Sequence, residues 1–172
     1  MKNVNNYAFI DSQNLNLGIH SLGWDIDYRK FRLYLKNKFD VSNAFMFIGY
    51  VPANQRLYTQ LQKAGFILVY KTAISYMKNG KTFIKGNVDA ELVLHSAAIE
   101  YPNYDQAVIV TNDGDFFCLV QYLDDNRKLL KILAPNSRYS SLFRPYVDKL
   151  QTLDRLENTL KYKTGIGVRS KP

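Results

Sequence analysis

Residues 107 to 119 read Ala107-Val108-Ile109-Val110-Thr111-Asn112-Asp113-Gly114-Asp115-Phe116-Phe117-Cys118-Leu119, and this stretch decides the fold. A β-branched run, Val108 to Val110, is followed by two carboxylates separated only by Gly114, and an apolar segment opens at Phe116. The pattern predicts a buried strand, a tight acidic turn and a helix. In open α/β sheets such strand-to-helix turns sit at the carboxyl ends of the strands, where ligands bind. The amino terminus repeats the grammar, with Tyr7-Ala8-Phe9-Ile10 running into Asp11-Ser12-Gln13-Asn14.

Working outward, the chain alternates strand and helix. Residues 7 to 11 are read as the first strand, and a loop through Trp24 leads to a helix capped by Asp27, with Phe31, Leu33, Tyr34, Leu35 and Phe39 at helical spacing. Residues 44 to 51 are a second buried strand. Leu57, Leu61 and Ala64 define the next helix, which Gly65 stops, and residues 66 to 70 are the third strand. This order argues for a parallel sheet covered on both faces.

Residues 71 to 86 differ in texture. Lys78-Asn79-Gly80-Lys81 carries the Asn-Gly signal of a two-residue hairpin, flanked by Tyr76 and Phe83. A helix from 87 to about 100 follows, then the opening stretch with its helix at 116 to 123, then a fifth strand at 128 to 133. Residues 140 to 161 read as helical pieces broken before Pro145, and 164 to 172 as a basic, Gly-rich, loose tail. The expectation is a single domain over residues 1 to 163.

The 172 residues suffice for a core without disulfides or metals. The one cysteine, Cys118, excludes an intrachain disulfide framework and fits a reducing cytoplasm. No apolar run reaches membrane-span length and the first residues lack a signal-peptide core, so a soluble, cytoplasmic protein is expected. The formal net charge is +8, from 23 Lys and Arg against 15 Asp and Glu. Setting aside Asp11, Asp89, Asp113 and Asp115 leaves 11 acids against those 23 bases. A basic body around a compact acidic pocket suits a polyanion gripped by its phosphates with a metal at the centre; a basic surface that merely maintains solubility is the other reading.

Neighbouring strands lie roughly 4.8 Å apart, so Asp11 and Asp113 converge on one cation if strands one and four are neighbours. Mg²⁺ takes one or two carboxylates and retains several waters. Asp89, in the first turn of its helix, is either a third ligand or a carboxylate complementing the helix dipole. Asp115 stands where an N-cap for the following helix belongs, with a metal role open beside that. The Asp-Gly-Asp sequence is not a calcium loop, because the EF-hand pattern needs an oxygen ligand where Phe117 stands. Nor does Asp11-Ser12-Gln13 match the Asp-x-Asp of an aspartyl-phosphate enzyme. There is no P-loop and no Gly-x-Gly-x-x-Gly, so nothing supports a nucleotide cofactor.

Three motifs in order, Phe9-Ile10-Asp11-Ser12-Gln13-Asn14, Lys85-Gly86-Asn87-Val88-Asp89 and Thr111-Asn112-Asp113-Gly114-Asp115-Phe116, make the chain resemble the NYN domain branch of the PIN-like nucleases, particularly its LabA-like bacterial members, over residues 7 to 156. The resemblance implies a PIN-like three-layer α/β sandwich with a five-stranded parallel sheet of order 3-2-1-4-5 and the hairpin as an insertion. It also implies Mg²⁺- or Mn²⁺-dependent cleavage of RNA, with Asp11, Asp89 and Asp113 as ligands, Asp115 assisting, and Asn14 beside the site; PIN-like domains often form homodimers. Thr111-Asn112 replaces a Ser-Gly common in the family. His95 stands where many relatives carry an acid.

The further expected substrate contacts are Ser12 in the motif after Asp11, Lys85 as a phosphate contact, and Tyr76 and Lys81 in the hairpin, where basic and aromatic groups combine as in single-strand binders. Solvated lysines and edge-capping aromatics are the plainer alternatives. His95 and Cys118 are read as core residues, and His20 and Trp24 as loop packing. The favoured function is a metal-dependent ribonuclease acting on single-stranded RNA. A nucleic-acid-binding or regulatory module with a weakened metal site, and a small-molecule phosphohydrolase, are the competing classes.

Overall fold

A computed structural model describes residues 4–72, 74–78, 81–85 and 88–163, with the backbone alone for 72, 74–78 and 81–85. Four-residue strand β6, Ala107–Val110, and six-residue strand β1, Asn6–Asp11, are buried along their whole length, as expected of central strands covered on both faces. They pair in parallel, Tyr7 opposite Ala107 through Ile10 opposite Val110. The remaining sheet strands are β2 (Val41–Tyr50), β3 (Phe66–Thr72), β7 (Leu129–Ala134) and β8 (Leu150–Thr152). Their order is β3-β2-β1-β6-β7-β8, all neighbours parallel.

The sheet therefore has six strands rather than five. The extra strand, β8, is three half-buried residues within the region read as helical pieces. Three residues are too few to display a period of two, which is why only the surrounding turns were legible. The rest of the predicted order holds, and β1 and β6 are side by side as the sequence argument required.

Alternation along the strands divides the core. On one face Ala8, Ile10, Ala44 and Met46 pack against α1 (Ser12–His20), α2 (Tyr28–Phe39) and α3 (Gln55–Lys63). On the other, Phe9, Phe45 and Phe47 pack against α4 (Asp89–Leu94) and α5 (Phe117–Asp125), with the rings of Phe9 and Phe45 stacked at 5.5 Å. A last short helix, α6 (Glu157–Leu160), adds Leu160 to the first face. Asp27 caps α2 by accepting from the N–H groups of Arg29 and Lys30. Gly65, at φ +95°, ends the turn after α3 in a left-handed conformation that disfavours a side chain.

Helix α1 replaces the predicted loop. Its Asn and Gly residues are poor helix formers, but Asp11 supplies the cap by accepting from the Asn14 N–H, and Leu15 and Ile19 bury one face. His20 is exposed at its end, beside Asp25 at 3.1 Å, while Trp24 is buried in the core. The predicted helix from 87 is regular only to Leu94 and continues as a π-turn over His95–Ile99. Cys118 is exposed, not core, because the buried stripe of α5 runs through Leu119, Val120 and Leu123. The inserted arms pair antiparallel as β4 (Ile74–Lys78) and β5 (Lys81–Lys85), with Tyr76 opposite Phe83. The Asn79-Gly80 turn and the predicted tail at 164 to 172 lie outside the described residues.

Candidate active site

The carboxyl edge of the sheet opens into a cleft of about 510 Å³ whose lining includes Asp11, Asp89, Asp113, Asn14, Asn136 and Arg138. Asp11 is the last residue of β1 and lies on the floor, 6% exposed. Burial pushes its carboxyl up from 3.8 to about 6; the Asn14 N–H opposes this, and the charges of Asp89 and Asp113 add to it. Asp89, at the start of α4, is also raised, first by burial, then by Asp113 and Asp115, with Lys71 acting the other way. Asp113 is exposed at the mouth. The three carboxylates thus face one space and feel one another.

Both strand-end acids also organise the turns they begin. Asp11 accepts from the Asn14 N–H at 3.0 Å and Asp113 from the Asp115 N–H at 3.0 Å. The N-cap of the second turn is therefore Asp113 and not Asp115. The reason is local: the element opens with a 3-10 turn at Gly114–Phe116, so the orphan N–H that the cap satisfies is that of Asp115 itself. The Asp115 carboxylate is left exposed, near enough to raise Asp89.

Beneath the acids runs a closed net of amides that the sequence did not announce. The Asn14 side chain donates to Asn112 Oδ1 at 2.6 Å and accepts from the Asn112 N–H at 2.9 Å, tying α1 to the loop after β6. Asn112 Nδ2 donates to the Arg138 carbonyl, the Arg138 N–H donates to Asn136 Oδ1, and Asn136 Nδ2 donates to the Gly18 carbonyl back in α1. A Cβ on Gly18 would come within 2.5 Å of the Pro135 side chain, so glycine permits this close approach. Asn14, expected beside the site, lines the cleft with both ends of its carboxamide engaged in this brace. Lone asparagines in loops have no signature; only their placement reveals them.

Of the other expected residues, Ser12 is buried at the first position of α1 and is not part of the cleft lining. The side chains of Tyr76, Lys81 and Lys85 lie outside the described residues. His95, in the place of a frequent family acid, packs its ring against Phe47 at 5.4 Å and Phe45 at 6.2 Å, and its buried Nδ1 has no partner among the described residues.

The donor set is made of hard oxygens, which suits Mg²⁺ or Mn²⁺. Like charges oppose close approach, and among the described residues no three Asp, Glu, His or Cys side chains are gathered tightly enough to hold an ion. Two carboxylates suffice for Mg²⁺, and a buried carboxyl held near pH 6 beside two others is a group that a cation would stabilise. The residues present fit such an ion.

A parallel α/β sheet with acids at the ends of its two central strands is the arrangement that the resemblance to PIN-like proteins implies. The chain belongs to the NYN domain family, whose model matches residues 7–166. NYN domains are a branch of the PIN-like nucleases and act on RNA, and PIN-like nucleases generally use divalent metals, which places the chain among the nucleases at the level of its class. No curated protein matches the chain. Among solved structures it is similar to a protein of unknown function from Vibrio parahaemolyticus RIMD 2210633, at 20% identity over 92% of this chain and 96% of that one, with a TM-score of 0.74; this likeness concerns the fold. Among the described residues no helix is long and apolar enough to cross a membrane.

Proposed function

We propose that the chain is a Mg²⁺- or Mn²⁺-dependent ribonuclease that hydrolyses phosphodiester bonds of single-stranded RNA in the cleft at the carboxyl edge of its sheet. The observation that carries the reading is the convergence of Asp11, Asp89 and Asp113 on that cleft, with Asp11 buried and its carboxyl raised to about 6. Perturbed carboxylates clustered in a cleft are a mark of reactive sites. Asp11, Asp89 and Asp113 would hold the metal, which when bound polarises the phosphate and lowers the pKa of a water.

The protein's own groups have separable tasks. Asp11 must be ionised to act as a ligand, so activity rises as pH climbs toward and through about 6. Asp115 adds negative charge near Asp89 and strengthens its hold on a cation. The Asn14–Asn112 pair fixes the two strand ends relative to each other, so the ligands are held by the frame. Lys85, Lys81 and Tyr76 on the hairpin remain the expected substrate contacts; Ser12, buried and outside the cleft lining, is left out of them.

One observation favours a second reading, an RNA-binding module with a weakened site. His95 packs on Phe45 and Phe47 where relatives often supply an acid, leaving a smaller carboxylate cluster. Cleavage of end-labelled single-stranded RNA in Mn²⁺, Mg²⁺ and EDTA, beside Asp11→Asn, separates the two. Metal-dependent products lost in the variant are expected. RNA binding with no products in any metal would give the second reading instead.

A further inference from the structure

Three carboxylates in one cleft repel a phosphate backbone, so a strand lying over them needs cations on its flanks. Two are present on opposite sides. On one side is Arg138, which lines the cleft and whose backbone is clamped at both ends, its N–H donating to Asn136 Oδ1 at 2.9 Å and its carbonyl accepting from Asn112 Nδ2 at 3.2 Å. A flexible loop arginine is thereby anchored to the same net that holds the acids.

On the other side is Lys71, at the end of β3. In register across the sheet, Asp11 lies opposite Phe47 and Phe47 opposite Val69, and Phe47 and Val69 pack on the α4 face. Two residues beyond Val69 the alternation returns Lys71 to that face, half-buried and paired with Gly49 on β2. A Cβ built on Gly49 meets nothing within 4 Å among the described residues, so the described side chains of the sheet leave a notch between Lys71 and Asp11. Among the described residues neither cation lies within ion-pair distance of a carboxylate, although Lys71 is near enough to Asp89 for its charge to be felt there.

We propose that Arg138 and Lys71 are phosphate-binding residues straddling the carboxylates, so that a single RNA strand crosses the carboxyl edge of the sheet from the loops after β6 and β7, over Asp11 and the Gly49 notch, to the end of β3. This rests on the ribonuclease reading and adds the path of its substrate. The ends of β6 and β3 are three strand spacings apart, roughly 14 Å. That is about four nucleotides at the ~3.4 Å rise of a stacked strand, and fewer when extended. The arginine fork suits two oxygens of one phosphate, whereas the lysine acts as a point charge. Asp11 lies on the cleft floor, so the scissile phosphate must descend to it, which a single strand achieves by bending and a paired duplex does not.

The test is the salt dependence of RNA binding in EDTA, with a labelled single strand and its duplex, followed by KM and kcat in Mn²⁺. Each phosphate contact to a single strand contributes about 0.7 to the slope of log K against log salt. Arg138→Ala and Lys71→Met should each lower the slope by about 0.7, and the double variant by about 1.4. KM should rise several-fold with kcat nearly unchanged. Arg138→Lys should keep the slope while weakening binding, and Gly49→Leu, which fills the notch without backbone strain, should raise KM and leave the slope alone. Thermal midpoints check that the variants fold. Slopes equal to wild type in both single variants would overturn the proposal, as would a duplex that binds as tightly as the single strand. A wild-type protein that neither binds nor cleaves RNA would overturn both this path and the nuclease reading; one that binds but does not cleave, with the slopes reduced, would overturn only the nuclease.

Discussion

Asp11 and Asp113 occupy equivalent places, each at the end of a central strand and each capping the helical turn that follows, yet their surroundings differ. Asp11 is 6% exposed, whereas Asp113 stands at the mouth of the cleft in solvent. The cap hydrogen bonds are alike at 3.0 Å, so the local motif does not distinguish them. What distinguishes them is the depth at which the motif is set. Sequence grammar locates the pair; burial decides that Asp11 is the residue whose ionisation is costly and which gains most from a cation.

The largest effect expected from this contrast concerns stability. The folded-state carboxyl of Asp11 titrates near 6 rather than 3.8, a difference worth up to roughly 3 kcal/mol. Between these pH values the folded state binds more protons than the unfolded state, so the stabilising contribution is complete below pH 3.8 and is lost as pH rises through about 6. Asp11→Asn, whose amide oxygen can still accept from Asn14, should therefore stabilise the protein by on the order of 2 kcal/mol at pH 7.5 and by nearly nothing at pH 4. Asp113→Asn keeps a good cap at an exposed position and should move stability by less than about 0.5 kcal/mol at either pH. Denaturant unfolding at the two pH values measures both, and equal responses of the two variants would break the contrast.

A smaller effect tests the brace that keeps the two acids in register. Asn14→Ala removes both hydrogen bonds to Asn112 and should cost about 1 to 3 kcal/mol, with a fall in activity larger than the stability loss explains. Retained activity at full stability would mean that the strand ends hold their geometry without it.

The parts of this arrangement that were legible share a cause. A β-branched run ending in an acid is a strong local signal, and β1, β6 and their neighbours in the sheet followed from it. The missed elements lacked local signal. Helix α1 is written in asparagines and a glycine that favour loops, and it forms because Asp11 caps it and Leu15 and Ile19 bury against the sheet. Strand β8 is three residues long and exists by pairing with β7. Arg138, Asn136 and Asn112 are ordinary loop residues until the chain brings together positions that are 98 and 118 residues apart. By its neighbours' composition Lys71 reads as the start of the insertion, while the register assigns it to β3.

The most direct test of the account is calorimetric titration of Mn²⁺ into the wild-type protein and Asp11→Asn at pH 6. The wild type should bind the ion and release a fraction of a proton, because Asp11 is partly protonated there and must ionise to become a ligand. The variant should bind at least ~10-fold more weakly and lose that proton release. Equal affinity and equal proton release in the two proteins would contradict the claim that the buried carboxylate at the end of β1 is the heart of the site.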